Sequence, residues 1–170
     1  MTVKKILFVA ASIIKLFIIL ILLSSNSKAQ ENNIKYYSDD MGTLALMYHR
    51  FNEPKYPSTN IQMNIFKNQI EIIKEKYKFY DPNEFALNFN IPKKEKKILI
   101  TVDDGFSSFY SNAWPFLKEN KIPFILFIST EAVGKFGYMN WNQIKEIEKE
   151  TFVYIGNHSH SHDYLVDLSE

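Results

Sequence analysis

Four short, uninterrupted apolar runs constrain the fold of this chain more than any other feature. They cover residues 44–48, 98–102, 124–128 and 152–155, and Tyr80 lies in a weaker candidate for a fifth. Runs of this length, bounded by polar and turn-forming residues, are typical of strands buried on both faces. Amphipathic segments separate them. This alternation predicts an α/β fold in which helices cover the outer face of a parallel sheet.

Three helices are predicted between the strands. The buried face of the first consists of residues that recur at steps of three and four: Met63, Phe66, Ile70, Ile73 and Tyr77. The second helix spans residues 107–120, where Pro115 either starts or kinks it. In the third, Asn140 and Gln143 form a capping box, and the predicted buried face consists of Trp141, Ile144 and Ile147.

Residues 1–29 have the pattern of a secretory signal peptide. Lysines precede an apolar core at residues 16–23, and Ser27-Lys28-Ala29 offers a cleavage pattern. The alternative is an uncleaved membrane anchor over residues 6–23, although Lys15 would be costly inside a bilayer. Both readings predict export, to a periplasmic, extracellular or membrane-anchored location.

The rest of the chain has the size and charge of one exported domain. Residues 30–42 form a predicted polar linker, and residues 43–170 form the predicted domain. Removing residues 1–29 deletes four lysines and no acidic residue, which changes the formal net charge from +1 to −3. Without a strong basic patch, nucleic acid is not an expected partner. Without cysteine, a disulfide framework is excluded.

A carboxylate pair follows the second apolar run. Asp103, Asp104 and Gly105 come directly after it, and reactive groups of parallel α/β folds gather at the carboxyl ends of strands. Neighbouring residues of a strand point to opposite faces, so one carboxylate can bind a metal while the other acts as a general base. The alternative is a pair of turn or helix-capping aspartates.

Three of the four histidines follow the last apolar run. They are His158, His160 and His162. Their spacing puts His158 and His162 on one side of a predicted helical turn, within reach of a single ion. His160 is then an outer or exposed residue. Two imidazoles, a carboxylate and an open position are typical of a catalytic zinc site.

These residues resemble two motifs of the polysaccharide deacetylases, the NodB-homology domain of carbohydrate esterase family 4. Residues 101–105 (Thr-Val-Asp-Asp-Gly) resemble the first motif, and residues 158–162 (His-Ser-His-Ser-His) resemble the second. The 53 residues between Asp104 and His158 also suit this family. Residues 47–50 (Met-Tyr-His-Arg) resemble the strand that opens its exported, biofilm-type members. The resemblance covers about residues 43–170.

The resemblance implies a distorted (β/α)7 barrel, of which this chain holds the amino-terminal part. It also implies a hydrolase that removes N-acetyl groups from an amino-sugar polysaccharide. Asp104, His158 and His162 would bind a divalent metal, most often Zn²⁺, with Co²⁺ or Ni²⁺ as alternatives. Asp103 would be the base that activates a metal-bound water, and Ser159 would support the histidine loop.

His49 and Arg50 are weaker candidates for substrate contact. For Arg50, the only arginine of the chain, the alternative is a surface ion pair with a carboxylate such as Glu53. For His49, the alternative to substrate contact is a structural histidine that is hydrogen-bonded at the mouth of the barrel. The later motifs of the family, which supply an arginine and an acidic histidine, have no counterpart before the chain ends at Glu170. We therefore expect a fragment whose open sheet edge is completed by further chain.

Two other functions are compatible with the sequence. One is a truncated, non-catalytic half-barrel that binds polysaccharide. The other is a magnesium site of receiver-like phosphoryl chemistry at Asp103 and Asp104, which the histidine cluster disfavours because Mg²⁺ prefers oxygen ligands. No oligomeric state is predicted.

Overall fold

The computed structural model describes residues 42–84 and 96–167. The predicted signal segment, all of the predicted linker except its last residue, and residues 168–170 lie outside this range. No helix in the described part of the chain is long and apolar enough to cross a bilayer.

The centre of the fold is a five-stranded parallel sheet. β5 lies inside it, paired along its whole length with β1, with β4 beside its start and β6 beside its end. β7 pairs with β6. β2 and β3 form a separate two-stranded parallel ladder. The strands are β1 Thr43–Tyr48, β2 Arg50–Phe51, β3 Asn60–Ile61, β4 Lys78–Phe79, β5 Lys97–Val102, β6 Phe124–Ile128 and β7 Val153–Asn157.

All four predicted strands are present, and so is the weak fifth, because the Tyr80 N–H donates to the Ile98 carbonyl at 2.8 Å directly after β4. β2 and β3 were not predicted, since a strand of only two residues is too short to show a periodic sequence pattern. β7 continues to Asn157, two residues beyond the apolar run at residues 152–155 that predicts it. Gly156 suits this strand because a Cβ there would lie 2.4 Å from the Phe127 ring.

The helices match the sequence pattern with two exceptions. They are α1 Met63–Lys76, α2 Trp114–Asn120 and α3 Trp141–Glu148, with a π-helical turn at Phe109–Ala113 and 3₁₀ turns at Thr130–Ala132 and Leu165–Asp167. Pro115 lies in the first turn of α2, where its missing N–H costs no hydrogen bond. The Asn140–Gln143 capping box is confirmed.

Tyr77 and Trp141 are the exceptions. Tyr77 follows the end of α1 and is exposed. Trp141 is 50% exposed although Ile144 and Ile147 are buried. As the first residue of α3, Trp141 borders an open cleft beside the edge of β7, together with Ile155. Within the described residues no further element covers that edge. Helical periodicity alone could not reveal that Trp141 is exposed.

The main core lies between the sheet and the helices. Ile98, Ile100 and Val102 of β5 are buried in one cluster with residues of all three helices, among them Phe66, Leu117 and Ile144. A smaller cluster of Tyr80, Leu99 and Ile125 lies apart from it. The prediction of an α/β fold with helices on one face of a parallel sheet is confirmed, and the sheet is consistent with part of a barrel.

Candidate metal centre

The loop after β5, which we call the Asp loop (residues 103–105), turns sharply at the central strand of the sheet. The Asp103 N–H donates to the Tyr48 carbonyl at 2.8 Å, and the Gly105 carbonyl accepts from the Met139 N–H at 2.9 Å. Asp104 and Gly105 both have left-handed backbones, with φ of 71° and 75°. A left-handed non-glycine residue costs about 1–3 kcal/mol, and such residues cluster at functional sites.

The loop after β7, which we call the His loop (residues 158–162), is not helical. Ser159 and His162 have left-handed backbones, with φ of 66° and 60°. Side chains hold this shape: the Ser159 N–H donates to the Asn157 side-chain oxygen at 2.8 Å, and the His162 N–H donates to Ser159 Oγ at 3.0 Å. The predicted helical turn was therefore wrong. His158 and His162 approach each other because the loop folds back on itself.

Residues 128–131, at the end of β6, fasten the His loop to the sheet. The His158 N–H donates to the Ile128 carbonyl at 3.0 Å, and the Glu131 N–H donates to the His160 carbonyl at 2.9 Å. Ser129, only 3% exposed, donates from its hydroxyl to the His158 carbonyl at 2.9 Å. The sequence argument missed Ser129. Its position could have indicated a role, because Ser129 is a polar residue directly after an apolar strand, at the same edge of the sheet as both motifs.

Three ligand atoms converge where the two loops meet. Nε2 of His158 lies 3.0 Å from Nε2 of His162, and Asp104 Oδ1 lies 3.3 and 3.2 Å from these two nitrogens. Ligands about 2.0–2.2 Å from one tetrahedral ion are about 3.3–3.6 Å apart. The triangle is thus within a few tenths of an ångström of the spacing that a tetrahedral ion needs. We call these residues the triad.

The hydrogen bonding of the triad also fits a cation. Asp104 Oδ1 is buried and makes no hydrogen bond within the described residues. A buried carboxylate oxygen without a partner is costly, and a divalent ion would satisfy it. In the described part of the chain, this is the only group of three histidine, cysteine, aspartate or glutamate side chains whose ligand atoms lie within 4.8 Å of one another. Three protein ligands leave a fourth position open, as in catalytic zinc sites.

Asp103 lies beside the triad but is held differently. Its side chain is 7% exposed, and Oδ1 has no hydrogen-bond partner among the described residues. Burial raises the pKa of the Asp103 carboxyl above its ordinary value, and the nearby His158 and His49 act in the opposite direction. A carboxylate whose pKa is raised toward neutrality is a better proton acceptor.

The remaining candidates have other partners. His160 lies outside the triad and bonds through Nδ1 to Thr130 Oγ1 at 2.8 Å. His49 is half-buried, close enough to Asp103 for its charge to lower that residue's pKa. The Arg50 guanidinium pairs with Glu53 at 2.5 Å. Its carbon also lies 3.5 Å from the centroid of the Phe106 ring, so the arginine is held within the fold.

Comparison with known proteins gives consistent matches. The polysaccharide deacetylase family model matches residues 90–170. A poly-beta-1,6-N-acetyl-D-glucosamine N-deacetylase of Staphylococcus epidermidis is 27% identical over 161 residues, which covers 81% of this chain and 54% of that protein. The protein of the same description from Staphylococcus aureus is 30% identical over 146 residues, or 75% of this chain and 50% of the relative.

A solved structure agrees with the sequence matches. The structure of IcaB from Ammonifex degensii superposes with a TM-score of 0.62 at 30% identity, covering 74% of this chain and 57% of that one. The chain thus spans about half the length of the curated relatives that it matches.

Proposed function

We propose, from the premise that residues 90–170 belong to the polysaccharide deacetylase family, that this chain is the metal-binding part of an exported enzyme that removes N-acetyl groups from an amino-sugar polymer. The family resemblance itself is confirmed by the matches above. One observation carries the chemistry: Asp104, His158 and His162 bring three ligand atoms together beside the buried Asp103 carboxylate, whose Oδ1 has no hydrogen-bond partner in the described part of the chain.

The triad would hold one divalent cation. Two imidazole nitrogens and one carboxylate oxygen suit Zn²⁺, and Co²⁺ or Ni²⁺ also accept such ligands. When bound, the cation supplies Lewis acidity to the acetamide carbonyl and to the attacking water.

Asp103 would accept the proton that the attacking water loses. Water adds to the carbonyl carbon of the acetamide and gives one proton to Asp103. The C–N bond then breaks, acetate forms, and the proton held by Asp103 passes to the leaving amine nitrogen. Burial of Asp103 keeps competing water away from this carboxylate and favours its protonated form. The free Oδ1 is ready to accept because no side chain in the described range occupies it.

The substrate and the location follow from the relatives and from residues 1–29. The two staphylococcal relatives are named as deacetylases of poly-beta-1,6-N-acetyl-D-glucosamine, so this polymer is the substrate to test first. An exported location is supported by the signal pattern of residues 1–29. A tether through residues 6–23 would serve the same end.

Acetate release from this polymer is the direct test. The protein as its own cell produces it is assayed after removal of metals with a chelator and again after addition of Zn²⁺, Co²⁺ or Ni²⁺. Activity should disappear and return. His158→Ala and Asp103→Asn should each lower activity by at least about a hundredfold.

His160→Ala is the matched control, because it removes a histidine of the same loop that lies outside the triad. It should keep most of the activity. If the protein binds the polymer but releases no acetate with any of the three metals, the non-catalytic polysaccharide-binding function is favoured instead. If His160→Ala is as damaging as His158→Ala, the triad is assigned wrongly.

A further inference from the structure

Arg50 is the only arginine of the chain, in which lysine and arginine together number 20. Every other one of these cationic residues is thus a lysine. The two residue types carry the same charge, but only arginine has a planar cation that packs flat on an aromatic ring and donates hydrogen bonds along its edge. A chain that otherwise uses lysine therefore indicates that position 50 requires the shape of the guanidinium as well as its charge.

The Arg50 side chain is engaged by several residues of its own fold. Its guanidinium carbon lies 3.5 Å from the centroid of the Phe106 ring and 4.0 Å from that of the Tyr56 ring. Nη1 also pairs with Glu53 Oε2 at 2.5 Å, and the side chain is 15% exposed. Cation–π contacts of this kind are stronger when the cation is shielded from water. The charge and the packing surface of Arg50 are therefore used within the fold.

Phe106 connects these contacts to the Asp loop, because it comes directly after Gly105. Glycine has no side chain, so Phe106 carries the first side chain after Asp104 that packing can hold. Phe106 is 5% exposed. Besides the Arg50 guanidinium it contacts the Tyr138 ring, with the centroids 4.9 Å apart, and a short antiparallel bridge joins the backbones of these two aromatic residues. A ring held in this way restricts where the Asp loop can end.

The strand end that carries Arg50 runs alongside the Asp loop. The Asp103 N–H donates to the Tyr48 carbonyl at 2.8 Å, before the left-handed turn, and the Phe51 N–H donates to Ser108 Oγ at 3.2 Å, after it. A left-handed turn that includes a non-glycine residue persists only where the surrounding structure holds it. The Arg50 contact lies between these two hydrogen bonds along the chain and supports the turn itself.

We propose that Arg50 is a positioning residue for the triad. By packing on Phe106 it holds the Asp loop in its left-handed turn, and so it directs the Asp104 carboxylate toward His158 and His162. Arg50 acts through Phe106 and is assigned no contact of its own with the substrate. The part of this inference that concerns coordination rests on the metal site alone, and the part that concerns turnover rests on the proposed deacetylase function.

Cobalt coordination tests the first part, because the visible absorption of bound Co²⁺ depends on the arrangement of its ligands. The protein as its own cell produces it is loaded with Co²⁺ after removal of other metals. Arg50→Lys keeps the charge but loses the planar surface, so its Co²⁺ band should change in position or intensity. Glu53→Gln is the matched control: it removes the ion pair, leaves both rings in place and should keep the wild-type spectrum.

Two further variants separate positioning from a loss of stability. Tyr56→Leu removes the 40% exposed ring and should cause a smaller spectral change in the same direction, in a protein that remains folded. Phe106→Leu removes the ring through which Arg50 acts. The double variant Arg50→Lys/Phe106→Leu should change the spectrum no more than Phe106→Leu alone, since residues that act as one unit are not additive. Urea unfolding of each metal-free variant records stability separately.

Turnover of the acetylated polymer is the readout for the second part. Arg50→Lys should lower kcat about tenfold and change KM by less than about twofold, because it disturbs the ligand arrangement and leaves substrate contacts in place. A comparable rise in KM with an unchanged kcat would instead show that Arg50 contacts the substrate, and would overturn the inference.

The inference is also overturned if Arg50→Lys only lowers the free energy of unfolding and keeps the spectrum and the kcat of Glu53→Gln. If wild type binds Co²⁺ at the triad but releases no acetate, the proposed function fails, while the spectra of the variants still decide the role of Arg50. If wild type binds no Co²⁺, the proposed function and this inference both fail.

Discussion

The Asp loop and the His loop carry the three side chains of the triad but are held in place by different forces. The Asp loop follows the central strand, and Asp103 is almost fully buried. A Cβ added to Gly105 would lie 2.9 Å from Ile128, so core packing limits that loop directly. The His loop follows an edge strand, and the His162 side chain is 58% exposed. Its shape depends on hydrogen bonds that the side chains of Asn157 and Ser159 accept and that of Ser129 donates.

The comparison shows that one candidate site can combine a side chain fixed by packing with side chains fixed by polar contacts. Substitutions in the Asp loop should act on the free energy of unfolding, since they disturb the core. Substitutions in and around the His loop should act mainly on metal affinity, because few buried apolar contacts depend on that loop. Four predictions test the comparison.

The largest effect is expected from His162→Ala. Losing one of three protein ligands should lower Zn²⁺ affinity by about a thousandfold or more, which corresponds to about 4 kcal/mol. The free energy of unfolding of the metal-free protein should change by less than about 0.5 kcal/mol, because the side chain is exposed. Competition titration with a coloured chelator and urea unfolding measure the two quantities. A large loss of stability without metal would contradict the comparison.

Gly105→Ala should have the next largest effect, but on stability. The left-handed φ and the contact with Ile128 together should cost about 2–4 kcal/mol in the free energy of unfolding. Gly134→Ala is the control: its φ is 81°, yet nothing lies within 4 Å of an added Cβ, so it should cost only about 1 kcal/mol. Equal costs for the two variants, measured by urea unfolding without metal, would show that packing does not limit the Asp loop.

Ser129→Ala should lower Zn²⁺ affinity by about tenfold. It removes the buried hydrogen bond to the His158 carbonyl, worth about 1 kcal/mol, and frees that end of the His loop. Ser129→Thr keeps the hydroxyl and should restore most of the affinity. Ser161→Ala is a suitable control, because the Ser161 hydroxyl bonds only to Asp163 among the described contacts. An unchanged affinity in Ser129→Ala would mean that the loop holds its shape without this bond.

The smallest effect is expected from Thr130→Val. It removes the exposed bond to His160 Nδ1 with little change in volume. Water can replace the lost partner there, so Zn²⁺ affinity should fall by less than about threefold. The same titration applies. A loss as large as that of Ser129→Ala would show that burial of the hydrogen bond does not decide its importance in this loop.

The two motifs were recognisable from the sequence because they lie at the ends of strands that local pattern alone defines. Continuous apolar runs predict β1, β5, β6 and β7, since a parallel strand covered on both faces is apolar along most of its length. Only β5 and β6 are buried in this way, whereas β1 and β7 are partly exposed. Asp104, His158 and His162 could be assigned from residue type and the resemblance. The sequence could not establish that the ligand atoms of these side chains lie within 3.3 Å of one another, because this depends on left-handed residues in both loops.

The tertiary structure decided the features that depend on contacts between distant residues. The Ser129 hydroxyl reaches the His158 carbonyl because β6 lies beside β7, and a short bridge ties Tyr138 to Phe106. Trp141 is exposed because its helix begins beside an uncovered strand edge, which helical periodicity cannot report. Side-chain chemistry and strand pattern are local properties of the sequence. Which polar side chain finds which partner is set by the packing of the whole sheet.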